Sequence, residues 1–127
     1  MGTRSTVKFY SNEKNILSVY QQYDGYVSGV GEQLAHLFKK YQIVNGLPLY
    51  GEGHYANGFE ELALFYVMDN KDGSGNIYAT TEDDEQNFNY EIYSGMSTVQ
   101  RIRVHVYGDT IFDGDLDGFM KFVENGD

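Results

Sequence analysis

Phe88-Asn89-Tyr90-Glu91-Ile92-Tyr93, followed beyond Ser94-Gly95 by Arg101-Ile102-Arg103-Val104-His105-Val106, is the stretch that decides the fold. In each segment, apolar side chains alternate with polar ones. Successive side chains of an extended chain point to opposite faces, so each segment has one apolar face and one polar face. Joined through Ser94-Gly95, the two read as an antiparallel pair. A half-apolar sheet needs a covering layer, so helices are expected on the face of Tyr90, Ile92, Ile102 and Val104.

Working outward, Thr3 to Tyr10 and Ile16 to Tyr23 are β-rich and flank a turn at 12–15, which predicts a hairpin. From Val30, apolar residues recur as Val30, Leu34, Leu37, Phe38 and Tyr41, the spacing of an amphipathic helix. Residues 42–55 read as a loop that holds Pro48 and a Gly51-Glu52-Gly53 turn. Asn57, with Glu60 three residues on, reads as the cap of a second helix running to about Met68 and burying Phe59, Leu62, Ala63 and Tyr66. Asn76 to Thr80 is expected as a strand, Glu82 to Glu85 as a solvated loop, Thr110 to Phe112 as an extension of the sheet, and Leu116 to Val123 as a short terminal helix. The expectation is one α+β domain over residues 1–127: an antiparallel sheet of about five or six strands, with two main helices packed on one face.

Composition narrows the functions. The chain has no cysteine, which excludes thiolate nucleophiles and zinc–sulfur sites. With 19 acidic and 9 basic side chains the net charge is −10, so broad DNA or RNA binding is not expected. The first residues lack the apolar core of a signal peptide, and Met1-Gly2 with Ser5-Thr6 fits the start of a strand better than a myristoylation signal. A cytoplasmic protein without membrane attachment is expected. The 12 tyrosines suit half-exposed strands and binding surfaces alike.

Two loops imitate calcium sites. Asp113, Asp115 and Asp117 occupy ligand positions one, three and five, Gly118 the turn, and Glu124 position twelve. The residues before them read as strand and not as the incoming helix an EF-hand needs. Asn70 to Thr81 has the helix but lacks the final glutamate. A calcium-stabilised structural protein is therefore an alternative, beside the plain acidic turn. None of the histidines (36, 54 and 105) stands in a nucleophile or paired-histidine motif, so no catalytic residue and no cofactor is assigned.

Arg4, Arg101 and Arg103 are the arginines of the chain. Arg101 and Arg103 share a strand face. They could pair with Glu91 across strands, or clamp a phosphate. The stretch Tyr20-Gln21-Gln22-Tyr23-Asp24-Gly25-Tyr26-Val27-Ser28-Gly29-Val30-Gly31 runs from a strand end through a turn into a helix. Its glycines could serve the turn alone, or leave backbone N–H groups free for an anion. Clustered tyrosines beside Gln21 and Gln22 offer faces for base stacking and amides for base edges.

In these residues the chain resembles a family of small proteins from phages, large DNA viruses and bacteria. Its members open with Met-Gly-Thr-Arg-Ser and carry a Tyr-Arg-Gln-Tyr-Asp-Gly-Tyr-Pro-Ser-Gly-His-Gly signature before the first helix. Met1 to Ser5 matches the opening, and Tyr20 to Gly31 the signature, with Gln21, Val27 and Val30 in place of arginine, proline and histidine. Ile43-Val44-Asn45-Gly46, Ala56-Asn57-Gly58 and Gly75-Asn76-Ile77-Tyr78 are similar to family stretches too. The resemblance implies a non-enzymatic phage protein that sequesters a cyclic nucleotide of bacterial immune signalling, as in CBASS or Thoeris defence. The ligand would be a cyclic dinucleotide such as cGAMP, or a cyclic ADP-ribose type. It further implies a homo-oligomer acting in the host cytoplasm. Arg4, Arg101 and Arg103 would neutralise phosphates, and Tyr23 and Tyr26 would stack on bases. Ser28 with the Gly29 and Gly31 amides would hold a phosphate or ribose oxygen, with Tyr20, Gln22, Asp24 and Asn57 completing the set. The alternative is an acidic module that binds and inhibits a host protein directly.

Overall fold

The pairing that organises the molecule is the one the alternation predicts. In the computed structural model, which describes residues 2–44, 54–95 and 98–125, β6 (Phe88–Gly95) and β7 (Thr98–Val106) are antiparallel. Phe88 faces Val106, Tyr90 faces Val104, and Ile92 faces Ile102. β1 (Ser5–Ser11) and β2 (Lys14–Gln21) form the expected hairpin, closed by Asn12 and Glu13 at φ 49° and 71°. Positive φ at both central residues gives the turn the hand that matches strand twist.

β5 (Ile77–Ala79) and β8 (Asp109–Gly114) complete a six-stranded sheet in the order β5-β2-β1-β6-β7-β8. One feature departs from the fully antiparallel expectation: β1 and β6 run parallel, Thr6 beside Asn89 and Lys8 beside Glu91. The described ends of the segment 42–55 are strands and not loop. β3 (Gln42–Val44) and β4 (Tyr55–Asn57) form a two-stranded parallel sheet, while Pro48 and the Gly51–Gly53 turn lie outside the described residues.

The helices α1 (Glu32–Lys40), α2 (Phe59–Asn70) and α3 (Leu116–Glu124) share one apolar core with one face of the sheet. From the sheet come Val7, Phe9, Tyr90, Ile92, Ile102 and Val104, all fully buried. Phe9 packs against Phe59 and Tyr66, and Phe112 of β8 against Phe119 and Phe122 of α3. α2 buries Phe59, Leu62, Ala63 and Tyr66, as its spacing predicts. Its cap differs. Gly58, at φ 89°, takes the N-cap position, and Glu61 rather than Glu60 reaches back, its Oε1 accepting from the Asn57 N–H at 2.9 Å. Glycine wins the cap because the chain must turn through a left-handed conformation there.

The opposite face of the sheet carries Thr6, Lys8 and Tyr10 of β1, Asn89, Glu91 and Tyr93 of β6, and Arg101, Arg103 and His105 of β7. It is not simply open. β5 lies at one edge and β6 beyond β2 and β1, so residues 80–87 must cross that face to join them. Thr80 N–H bonds to Ser18 O, and Thr80 Oγ1 donates to Asp84. Asn89 fixes the far end: its Oδ1 accepts from Thr6 Oγ1 at 2.6 Å and from the Gln86 N–H, while its Nδ2 donates to Gln86 O. The acidic run expected as a plain solvated loop is thus also a cover, beneath which Thr6 and Lys8 are buried.

Candidate functional site

The hairpin register sets Ser5 opposite Gln21. The start of β1 and the end of β2 therefore lie side by side, and the parallel partner β6 begins at the same end. Here Gly2, Arg4, Gln22, Tyr23, Gln86 and Asn87 line a concavity of about 530 Å³. A Cβ on Gly2 would come within 2.5 Å of both Gln22 O and the Tyr23 ring, so only glycine lets the chain lie this close. The Tyr23 ring is 52% exposed, and the Arg4 side chain is exposed with no carboxylate partner among the described residues. An exposed arginine and a phenol ring thus line one space together with Gln22, Asn87 and Gln86, whose Nε2 donates to Asp84 Oδ1 at 2.7 Å. That donor set suits a phosphate beside a planar heterocycle.

The rest of the Tyr20–Gly31 junction is committed to structure. Gly25 N–H bonds to Thr3 O at 2.9 Å, and Gly25 O accepts from the buried Tyr90 hydroxyl at 2.7 Å. Val27–Gly31 is a π-helical turn that runs straight into α1. The Gly29 N–H goes to Tyr26 O and the Val30 N–H to Asp24 O, each at 2.9 Å. The Gly29 amide is thus not free for an anion and Gly31 is buried, which corrects their part in the cradle proposed with Ser28. Crowding requires the glycine at 29, where a Cβ would stand 2.0 Å from Asp24 O, while Gly31 is buried and a Cβ there would meet the Val27 side chain at 3.2 Å. Tyr26 is held by its hydroxyl on Asp24 Oδ1 at 2.8 Å. Tyr20 leans on Tyr78 of β5. Asn57 sits on β4, in the second, smaller sheet, and does not line the concavity.

Gln21, which replaces the arginine of the resembling signature, faces the core. It accepts from the fully buried Tyr66 hydroxyl and donates to Gln33 at 3.1 Å. Burial pushes the Tyr66 hydroxyl far above its ordinary range, so it stays a neutral donor.

Arg101 and Arg103 do not join Arg4. Both are on β7, separated from β1 by β6. Arg101 makes a bidentate pair with Asp113, Nε to Oδ1 at 2.7 Å and Nη2 to Oδ2 at 2.5 Å. That contact holds the Asp113 carboxyl below its usual range and raises the guanidinium. Arg103 approaches Glu91 at 3.8 Å and Asp113 at 3.5 Å. Cross-strand pairing accounts for Arg101 and engages Arg103 in part, leaving its Nε without a hydrogen bond, and a phosphate clamp formed by Arg101 with Arg103 is not what the sheet builds.

The same contacts dismantle the calcium alternative. Asp113 is spent on Arg101. Asp115 caps α3, its Oδ1 accepting from the Gly118 N–H at 2.8 Å, and Glu124 belongs to the last turn of that helix. Among the described residues no group of three or more His, Asp or Glu side chains is placed to hold a metal ion.

The sequence does not announce Gly2, Gln86 and Asn87 at this site, nor Lys8 on the covered sheet face. The alternation of 88–93 and 101–106 does point to that face, and it supplies Asn89, Glu91, Arg103 and His105 in advance. Among the described residues no helix is long and apolar enough to cross a membrane. No family model matches the chain, and neither a curated protein nor a solved structure matches it.

Proposed function

We propose that this protein captures a cyclic nucleotide without turning it over, in the concavity at Arg4, Gln22 and Tyr23. One observation carries the reading: an unpaired guanidinium beside an exposed tyrosine ring, with amides around them, at the end of an otherwise acidic molecule. Arg4 would pair with a phosphate, Tyr23 would stack on a base, and Gln22, Gln86 and Asn87 would hydrogen-bond its edges. A volume of about 530 Å³ lies in the range of small-molecule sites. Sequestration requires tight binding and no transition-state chemistry. The resemblance of Met1–Ser5 and Tyr20–Gly31 to phage proteins supports the narrower proposal of a homo-oligomeric sponge for an immune signal of the cyclic dinucleotide or cyclic ADP-ribose class.

The test is thermal denaturation with a panel of cyclic dinucleotides and cyclic ADP-ribose isomers, followed by heating and recovery of the ligand. One member should raise the melting temperature and be released intact. Arg4→Ala should weaken its binding by roughly 10- to 150-fold, the value of about 1.5–3 kcal/mol for hydrogen bonds to a charged group. No stabilisation by any member would refute the reading, and recovery of a cleaved product would show an enzyme.

A further inference from the structure

A second concavity, of about 390 Å³, opens on the polar face of the sheet and is lined among others by Lys8, Glu85, Asn89, Glu91, Arg103 and His105. It shares no lining residue with the concavity at Arg4. Strand register sets its chemistry. Ser18, Lys8, Glu91, Arg103 and Asp113 stand in one row across β2, β1, β6, β7 and β8, so the charges alternate in sign. Alternation alone would be ordinary cross-strand pairing. The row does not close, however.

Glu91 is the carboxylate beside Lys8, but its Oε1 already accepts from Tyr93 Oη at 3.0 Å, meets His105 Nε2 at 3.1 Å, and has Arg103 Nη1 at 3.8 Å. His105 is turned by its other nitrogen, 2.9 Å from Thr110 Oγ1. Lys8 is left over. It is 3% exposed, yet among the described residues no carboxylate lies within 4.0 Å of its ammonium and no hydrogen bond reaches it. A second donor is also unspent: Arg103 Nε is buried without a hydrogen bond, its nearest carboxylate oxygen, on Asp113, standing 3.5 Å away. Lys8 gives up most of its hydration without gaining a counter-ion among the described residues, and burying the orphaned Arg103 donor is costly. A lysine so enclosed on this groove points to a group that arrives from outside.

We propose that this groove binds a small oxyanion, a carboxylate or phosphate group, between the Lys8 ammonium and the Arg103 Nε–H. The volume leaves room for a larger molecule bearing that group. Glu85 and Glu91 also line the groove, so the site favours a singly charged oxyanion over a doubly charged one. The site is independent of the proposed nucleotide pocket.

The arginine Nε–H signals of the full chain report on it directly in proton–nitrogen correlation spectra. Sodium phosphate and sodium acetate are titrated separately, with sodium chloride holding the ionic strength constant. Arg103 Nε–H should shift along a saturating curve, while Arg101 Nε–H, bonded to Asp113, stays in place. Lys8→Met keeps the apolar stem and should weaken the saturation at least tenfold, and Lys8→Gln serves the same purpose should the methionine variant not fold. Saturation by acetate alone or by phosphate alone supports the site and names its ligand class. No saturable shift with either anion, or equal saturation in the Lys8 variants, overturns it. Arg4→Ala, which disables the nucleotide pocket, must leave the shift intact; its loss in that variant would overturn the claim of a separate site.

Discussion

Gly29→Ala tests whether the glycines after Tyr26 serve packing or a ligand. The added Cβ would stand 2.0 Å from Asp24 O and 2.9 Å from Asp24 C, both of them backbone atoms that no rotamer change can move. Relief requires the 24–29 turn to open by more than an ångström, which breaks the 2.9 Å bond from Val30 N–H to Asp24 O. Overpacking of this kind costs about 1–3 kcal/mol and the lost hydrogen bond about 0.5–1.5 kcal/mol, so the variant should lose roughly 2–4 kcal/mol. With a urea slope of about 1.5–2 kcal/mol/M, the unfolding midpoint falls by roughly 1–2.5 M. Gly73→Ala is the control. It sits at φ 59° with nothing within 4 Å of the added carbon, so it should cost only about 1 kcal/mol for the left-handed backbone. If Gly29→Ala unfolds at the midpoint of the unsubstituted protein and instead abolishes ligand binding, the glycine is there for the ligand and the crowding argument is wrong.

Tyr66→Phe removes the buried donor that satisfies Gln21 Oε1, and should cost about 1–3 kcal/mol in urea unfolding; a loss below about 0.5 kcal/mol would mean that water or Gln33 replaces it. The Asp113 carboxyl is depressed by Arg101, so that pair contributes stability above the usual carboxylate range, which is lost as pH falls through the lowered value. Arg101→Gln should therefore lower the unfolding midpoint at neutral pH and make no difference in strong acid, and an unchanged difference at both pH values would contradict the pairing.

Local patterns carried the secondary structure well, because each is enforced by burial of one face. Phe88, Tyr90 and Ile92 against Ile102, Val104 and Val106 specify their register, and Phe59, Leu62, Ala63 and Tyr66 specify the buried side of α2. Pairing between distant segments was not legible. Nothing near Thr6 announces Asn89, 83 residues away, so the parallel β1–β6 contact escaped, and with it the contribution of Gln86 and Asn87 to the site. Two motifs also cancelled one another. In sequence Arg101 offers a phosphate clamp or a cross-strand partner, and Asp113 a calcium ligand or a plain acidic turn; in the sheet each is the other's counter-ion. Lys8 was invisible for a related reason: a lysine in an alternating strand reads as solvent-facing until a crossover is laid on top of it.

The parallel seam between β1 and β6 has a kinetic meaning. A strand near the start of the chain, Ser5–Ser11, occupies an interior position of the sheet, yet its second neighbour is Phe88–Gly95. A growing polypeptide can zip the first hairpin early, but one long side of it stays unsatisfied until Phe88–Gly95 has left the ribosome. Closing so large a loop is slow, so this seam is expected to mature late in folding.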